Sequence, residues 1–297
     1  MIDAHSKLFS RKELVKSLIS LPNGLLITGS DDREIKVKVW NISNTPPLKP
    51  LIGKDLSSVV HSMTVLNKAS KLIAIGSDSS IKVMNYESGM LEESFDDDNG
   101  KVKYYKCVIL YDKNHLLSGN DDGDITLWSI QSREMIKSAI NSETDTPSPV
   151  SALKVFANGN IASASTSSTV IIWNKNLDII KSFQTNSGVY ALAVLPNGDL
   201  ASSGDGVIEI WRGANNEFDL LAELHGHVGP VLALDVLKYG HLISGGEDKT
   251  VKIWNTNSGA LVQTLQSHKD QIISLNAMEN GYIASGDKDG FVGIWSL

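Results

Sequence analysis

The stretch HGHVGPVLALDVLKYGHLISGGEDKTVKIWN, residues 225–255, alternates short apolar runs with turn residues. This pattern predicts a strand over residues 231–237, a turn at Lys238-Tyr239-Gly240, a strand over 241–244, a second turn over 245–249 and a strand over 250–254. A fourth strand is expected near residues 261–265. Because a tight hairpin needs a residue with positive φ, Gly240 fits the first turn. The stretch therefore reads as most of one antiparallel four-stranded unit.

The unit ends in a tryptophan, and this tryptophan recurs along the chain. Six copies end in the tryptophans at positions 40, 128, 173, 211, 254 and 295, and a seventh run, IKVMNY, carries Met84 instead. Successive spacings are 44, 44, 45, 38, 43 and 41 residues. Every copy reads as β-segments separated by turns, so a helical repeat is excluded. The repeat fills the 297 residues and predicts one domain over residues 1–297.

The recurring pattern resembles the WD-repeat family of β-propellers. The resemblance implies an all-β, seven-bladed β-propeller with four-stranded antiparallel blades, because sheets with two apolar faces bury them by stacking around an axis. The last copy ends shortly after Trp295, so its fourth strand is expected from the N-terminus, at about residues 5–10. That strand would close the ring and cover two exposed sheet edges.

The resemblance also implies a hydrogen-bonded set of histidine, hydroxyl, aspartate and tryptophan in a blade. Two complete sets are expected: His227, Ser244, Asp248 and Trp254, and His268, Ser285, Asp289 and Trp295. A buried imidazole or indole N–H needs a partner, since an unpaired buried polar group costs about 1–3 kcal/mol. A hydrolase triad is a poor interpretation of these residues, because they recur as packing elements. No catalytic residue is predicted.

Partners of this family bind the face that carries the loops between the second and third strands and between one blade and the next, here called the loop face. The candidate partner-binding residues on it are Asp31, Ser77, Tyr104, Asp121, Thr166, Glu247 and Lys288. An acidic rim of Asp31, Asp121 and Glu247, with the run 96–98 nearby, favours a basic partner segment. The alternative is that these are ordinary solvated turn residues. The Thr146-Pro147 and Ser148-Pro149 pairs in a nearby loop are candidate phosphorylation sites, with an ordinary loop as the alternative.

Composition limits the function classes. The formal net charge of −7 argues against direct nucleic-acid binding, which needs a basic surface. The single cysteine, Cys107, excludes an intrachain disulfide and suits a reducing compartment. No apolar run is long enough for a signal peptide or a membrane span. A cytoplasmic location is expected, with the nucleus possible, and no cofactor or metal is predicted.

The leading hypothesis is a non-catalytic scaffold that binds protein or peptide partners on the loop face, monomeric alone and part of a larger complex. One alternative is a substrate-recognition subunit of a ubiquitin ligase or a chromatin-type complex. Another is a propeller hydrolase with a metal in the central channel, for which His61 and Asp235 are the candidate ligands. The sequence does not identify the partner or its pathway.

Overall fold

The computed structural model describes most of the chain, and the regular elements in the described part are 27 β-strands, β1–β27. The described residues are 6–9, 14–21, 23–31, 36–42, 52–54, 56, 58–67, 71–77, 80–95, 103–141, 148–213 and 217–296. The acidic run 96–98 and the Thr146-Pro147 pair lie outside them.

Five sheets contain four antiparallel strands each. Four of them use consecutive strands. The first is β2 (Val15–Ser20), β3 (Leu25–Ser30), β4 (Val37–Asn41) and β5 (Ile52–Lys54). The second is β6 (Val60–Asn67), β7 (Leu72–Ser77), β8 (Ile81–Asn85) and β9 (Leu91–Phe95). The third is β10 (Tyr105–Asp112), β11 (His115–Asn120), β12 (Asp124–Ser129) and β13 (Met135–Ile140). The fourth is β14 (Val150–Val155), β15 (Ile161–Ser165), β16 (Thr169–Trp173) and β17 (Ile179–Gln184).

The fifth four-stranded sheet joins the two ends of the described chain. It consists of β25 (Ile272–Ala277), β26 (Ile283–Asp287), β27 (Phe291–Trp295) and β1 (Ser6–Phe9), with β1 at the edge next to β27. The β1–β27 pairing is antiparallel, with Ser6 opposite Ile294 and Phe9 opposite Phe291. Backbone hydrogen bonds therefore connect the N-terminal strand to the last strand.

The remaining strands form one seven-stranded sheet. It contains β18 (Leu192–Val194), β19 (Leu200–Ser203), β20 (Asp205–Trp211), β21 (Leu220–Val236), β22 (Leu242–Gly246), β23 (Thr250–Trp254) and β24 (Leu261–Gln266). The expected seven-bladed propeller, in which every blade is a separate four-stranded sheet, is therefore wrong. Five four-stranded blades are present, and the strands between β17 and β25 are joined into one larger sheet.

The physical reason is the 17-residue strand β21. Its first half pairs with β20, where Ile208 lies opposite Leu224, and its second half pairs with β22, where Leu234 lies opposite Ser244. One strand therefore takes part in both ladders, although its register against β20 shifts between Asp205 and Val207 and Gly229 has a φ of +86°.

Apolar clusters hold successive groups of strands together. One cluster joins the first sheet to the last, with Val15 and Leu18 of β2 packed near Ala284 and Val292 of the last sheet. The sheets thus close on themselves around a central channel. Its lining comes from seven inner strands, namely β2, β6, β10, β14, β18, the second half of β21, and β25. Small and apolar residues on these strands leave a channel volume of about 710 Å³.

Candidate functional site

Each of the six tryptophans donates its indole N–H to a hydroxyl of the neighbouring strand. Trp40 bonds to Thr28 at 3.1 Å, and the other five bond to serines at 2.7–2.8 Å. The accepting serines are Ser118, Ser163, Ser202, Ser244 and Ser285. A fixed acceptor lets a large aromatic ring be buried without an unpaired donor. This recurrent contact positions the third strand on the second.

His227 extends one of these contacts into a chain of hydrogen bonds. Its Nε2 lies 2.7 Å from Ser244 Oγ, and its Nδ1 lies 2.8 Å from Asp248 Oδ2. A carboxylate only accepts, so Nδ1 carries the proton and Ser244 donates to Nε2. Burial lowers the pKa of His227, while Asp248 opposes that shift. The imidazole is therefore neutral near pH 7 and serves as a structural link.

The second set differs from its predicted composition. His268 Nε2 lies 2.6 Å from Ser285 Oγ, but its Nδ1 bonds to Asp287 at 2.7 Å and not to Asp289. The assignment of Asp289 by position is therefore wrong. Asp287 takes the place that Gly246 has in the other set, two residues nearer the strand, and it is fully buried. Its Oδ1 also accepts the backbone N–H groups of Asp289 and Phe291.

Neither set has an accessible nucleophile. Ser244 and Ser285 are fully buried, and each hydroxyl oxygen already accepts an indole N–H. The one thiol, Cys107, is also buried, and this burial raises its pKa to about 12. A thiol with such a pKa remains protonated at neutral pH and is a poor nucleophile.

Two further polar contacts were missed by sequence reasoning. Asn141 accepts a hydrogen bond from Ser163 at 2.6 Å, the contact that histidine makes in the complete sets. Glu209 is buried beside Ser202 and Trp211, and burial raises its pKa. Neither residue lies at the histidine or aspartate position of the repeat, so alignment on those positions gave no signal for them.

Three of the predicted partner-binding residues meet at one cavity. Asp121, Thr166 and Lys288 line a space of about 430 Å³ on the loop face, at the mouth of the central channel. We call it the mouth cavity. Its other lining residues come from the starts of the inner strands and the loops before them: Leu14, Lys16, His61, Lys106, Pro149, Val150, Ser151 and Ile273.

The other four candidates lie outside the lining of the mouth cavity. Ser77 is fully buried and its hydroxyl donates to the carbonyl of Ser80 at 2.7 Å, so its assignment as a partner-contacting residue is wrong. Tyr104 is 45% exposed, and its ring lies 5.9 Å from Lys106 Nζ. Glu247 accepts a hydrogen bond from Gln271 at 2.9 Å.

The charges around the mouth cavity are mixed. Asp121 pairs with Lys106 at 3.3 Å, while Asp31 and Glu247 are not among the lining residues. Beside the cavity, Ser148 Oγ lies 2.6 Å from Ser167 Oγ, which in turn lies 2.8 Å from Ser165 Oγ. Hydroxyls thus occupy the turn where other repeats place an aspartate.

The two candidate channel ligands are not brought together. His61 lines the channel and the mouth cavity. Asp235 instead accepts the backbone N–H of Val236 at 2.9 Å and that of Ala277 at 2.7 Å. In the part of the chain that the structure describes, no group of three or more His, Cys, Asp or Glu side chains could hold a metal ion.

The fold and the repeated tryptophan contacts define the class of the protein, an all-β propeller. The family model of the WD domain, G-beta repeat, matches residues 177–212, 218–255 and 259–296. These three matches identify WD repeats within residues 177–296, and the chain as a whole is similar to the WD-repeat propellers. The crystal structure of the WD40 beta propeller domain of Doa1 has a similar fold, with a TM-score of 0.84 and 22% identity over 99% of this chain and 97% of that one.

The curated relatives match only part of this chain. Cilia- and flagella-associated protein 52 of Homo sapiens is 24% identical over 75% of this chain and 36% of its own length. The ubiquitin homeostasis protein lub1 of Schizosaccharomyces pombe is 41% identical over 23% of this chain and 9% of its own length. The chain thus spans about a third or less of these relatives. Within the described residues, no helix has the length and apolar character needed to cross a bilayer.

Proposed function

We propose that the protein is a non-catalytic interaction scaffold that binds segments or domains of partner proteins on its loop face. The observation that carries this proposal is the mouth cavity, where the turn residues Asp121, Thr166 and Lys288 meet the starts of several inner strands. Distant parts of the sequence converge there on a recess that is open to solvent. Such convergence on a rigid ring is suited to recognition of a partner segment.

The side chains that resemble a catalytic triad also support a non-catalytic role. The serines, histidines and aspartates of the two complete sets are buried and bonded to one another. The two curated relatives bear a ciliary and a ubiquitin-related name, and these names share no single activity. Partner binding is the function compatible with both of them. We place it in the cytoplasm, in keeping with one buried thiol as the only cysteine.

The proposal is tested by affinity purification and mass spectrometry of tagged wild type and a loop-face variant, Tyr104→Ala/Thr166→Arg/Lys288→Glu. All three residues are exposed, so their replacement leaves the core unchanged. We expect at least one stoichiometric partner of the wild type to be lost from the variant.

A matched control carries the same kinds of change at the opposite end of the ring, Lys113→Glu/Tyr239→Ala/Asn257→Arg. Lys113 is exposed in the turn between β10 and β11, Tyr239 in the turn between β21 and β22, and Asn257 in the turn between β23 and β24. The control is expected to retain the partner. Loss of the partner from the control alone, or its retention by both variants, would show that the loop face is not the binding surface.

A further inference from the structure

The mouth cavity and the central channel form one continuous space, because several residues line both of them. The shared residues are Lys16, His61, Lys106, Ser151 and Ile273. The cavity contributes about 430 Å³ and the channel about 710 Å³. A segment that enters at the loop face therefore has room to continue between the inner strands.

Among the described lining residues, lysines outnumber carboxylates: the lysines are Lys16, Lys106, Lys154 and Lys288, and the carboxylate is Asp121. A second carboxylate, Asp205, lies beside the lining and accepts a hydrogen bond from the hydroxyl of Tyr190 at 3.2 Å. Asp121 is itself paired with Lys106. The chain as a whole carries a net charge of −7, so this sign is opposite to that of the protein. An excess of lysines over carboxylates in the described lining, between walls of low dielectric, favours an anionic ligand at the entrance.

Apolar side chains also line the mouth cavity. Leu14, Pro149 and Ile273 are among its lining residues, and none of the three is fully buried. A small inorganic anion would contact the ammonium groups and leave these apolar surfaces uncovered. An extended peptide turns alternate side chains to opposite sides and advances about 3.3 Å per residue. It can therefore place carboxylates and apolar groups on the lining at the same time.

We propose that the mouth cavity and channel receive an extended, acidic segment of a partner protein. Its Asp or Glu side chains pair with Lys106 and Lys288, and its apolar side chains cover Leu14 and Ile273. This inference rests on the proposed scaffold function and adds the chemical class of the bound segment. It reverses the sign of the partner expected from Asp31 and Glu247, because those two carboxylates lie outside the lining.

The test is a fluorescence-anisotropy titration with labelled peptides of about twelve residues that alternate Glu and Val, a length of roughly 40 Å when extended. Matched peptides carry Gln or Lys in place of every Glu. We expect the Glu peptide to bind on the order of ten-fold more tightly than the Gln peptide at low salt, and the preference to fall as salt screens the charges. The Lys peptide should bind most weakly.

The protein variants locate the binding. Lys288→Glu and the milder Lys106→Gln should each weaken the Glu peptide several-fold and leave the Gln peptide little changed. Lys113→Glu makes the same charge reversal at the other end of the β10–β11 hairpin and should change binding less than about two-fold. Thermal unfolding of each variant checks that the ring is intact.

Several outcomes would overturn the proposal. Equal binding of Glu and Gln peptides, or equal loss with Lys113→Glu, would remove the acidic preference. Complete displacement of the Glu peptide by millimolar inorganic phosphate would show a simple anion site, and tighter binding of a uridine oligonucleotide would show a nucleic-acid site. If the Glu and Gln peptides bind the wild type equally and Thr166→Arg abolishes the binding of both, the scaffold function stands and only the charge preference fails.

Discussion

At the scale of single residues, the buried polar groups form short chains of hydrogen bonds that begin at a tryptophan. In two places the chain runs from indole through serine and histidine to a carboxylate, Asp248 in one and Asp287 in the other. In these two sets each side chain supplies the hydrogen-bond partner that the next one needs, so the indole, hydroxyl and imidazole donors are all paired. These links fix the side chains between strands and leave recognition to the exposed loops.

The two neighbouring aspartates of the last set provide a matched pair of variants. Asp287→Ala should lower the free energy of unfolding by at least ~2 kcal/mol, because the Nδ1–H of His268 and two backbone N–H groups lose their acceptor in a buried place. Asp289→Ala should change it by less than ~0.5 kcal/mol. Urea unfolding measures both. An equal loss, or a larger loss for Asp289→Ala, would contradict the assignment of Asp287.

The buried His227 predicts a pH dependence. Burial holds the pKa of His227 below its ordinary value of 6.5, so the unfolded chain takes up a proton that the folded chain does not. The stabilisation by His227 is therefore complete above pH 6.5 and is lost as the pH falls toward the folded pKa. We expect the difference in unfolding free energy between wild type and His227→Gln to shrink from pH 7 to pH 5, by up to ~1.4 kcal/mol per unit.

Wild type and His227→Gln share all other titratable groups, so the contributions of those groups cancel in the difference. One of them is Glu209, whose raised pKa makes the protein more stable as the pH falls, the opposite of the effect of His227. His225→Gln is the control, because the side chain of His225 is 66% exposed. A His227→Gln difference that stays constant from pH 7 to pH 5 would contradict a neutral, buried imidazole.

At the scale of strands and sheets, the repeated tryptophan spacing predicted strand positions well. The predicted strand over 250–254 coincides with β23, and the predicted turn at Gly240 has the positive φ that it requires. The continuity of β21 could not be predicted in this way. Gly226 and Gly229 look like turn residues in the sequence, but cross-strand hydrogen bonds keep the chain paired on both sides of them.

The pairing of β1 with β27 predicts that the N-terminal strand contributes to stability. Removal of residues 1–9 would expose the edge of β27 and remove a four-residue ladder. A loss of 1 kcal/mol lowers Tm by about 2–4 °C in proteins of this size range, so we expect a decrease of roughly 5 °C or more. Differential scanning calorimetry measures it. An unfolding curve identical to that of the full chain would contradict a stabilising role for this pairing.

At the scale of the whole molecule, an anionic protein encloses a channel whose mostly small and apolar lining includes Lys16, Lys106 and Lys154. Sequence position was sufficient to predict that Asp121, Thr166 and Lys288 share one face, because each follows the same strand of its repeat. It could not show that Lys16, Lys106 and Lys154 line the channel or that Asp31 and Glu247 do not. That arrangement depends on which side chains of the inner strands point toward the axis, and on how the strands are staggered around it.

We propose that partners bind the loop face at the mouth cavity. Site-specific photo-crosslinking tests it most directly, with a photoreactive amino acid placed at Thr166 on the loop face or at Asn257 on the opposite face; both positions are exposed. We expect a crosslinked partner with the probe at position 166 and little or none with the probe at position 257. A partner that crosslinks equally at both positions, or only at position 257, would contradict it.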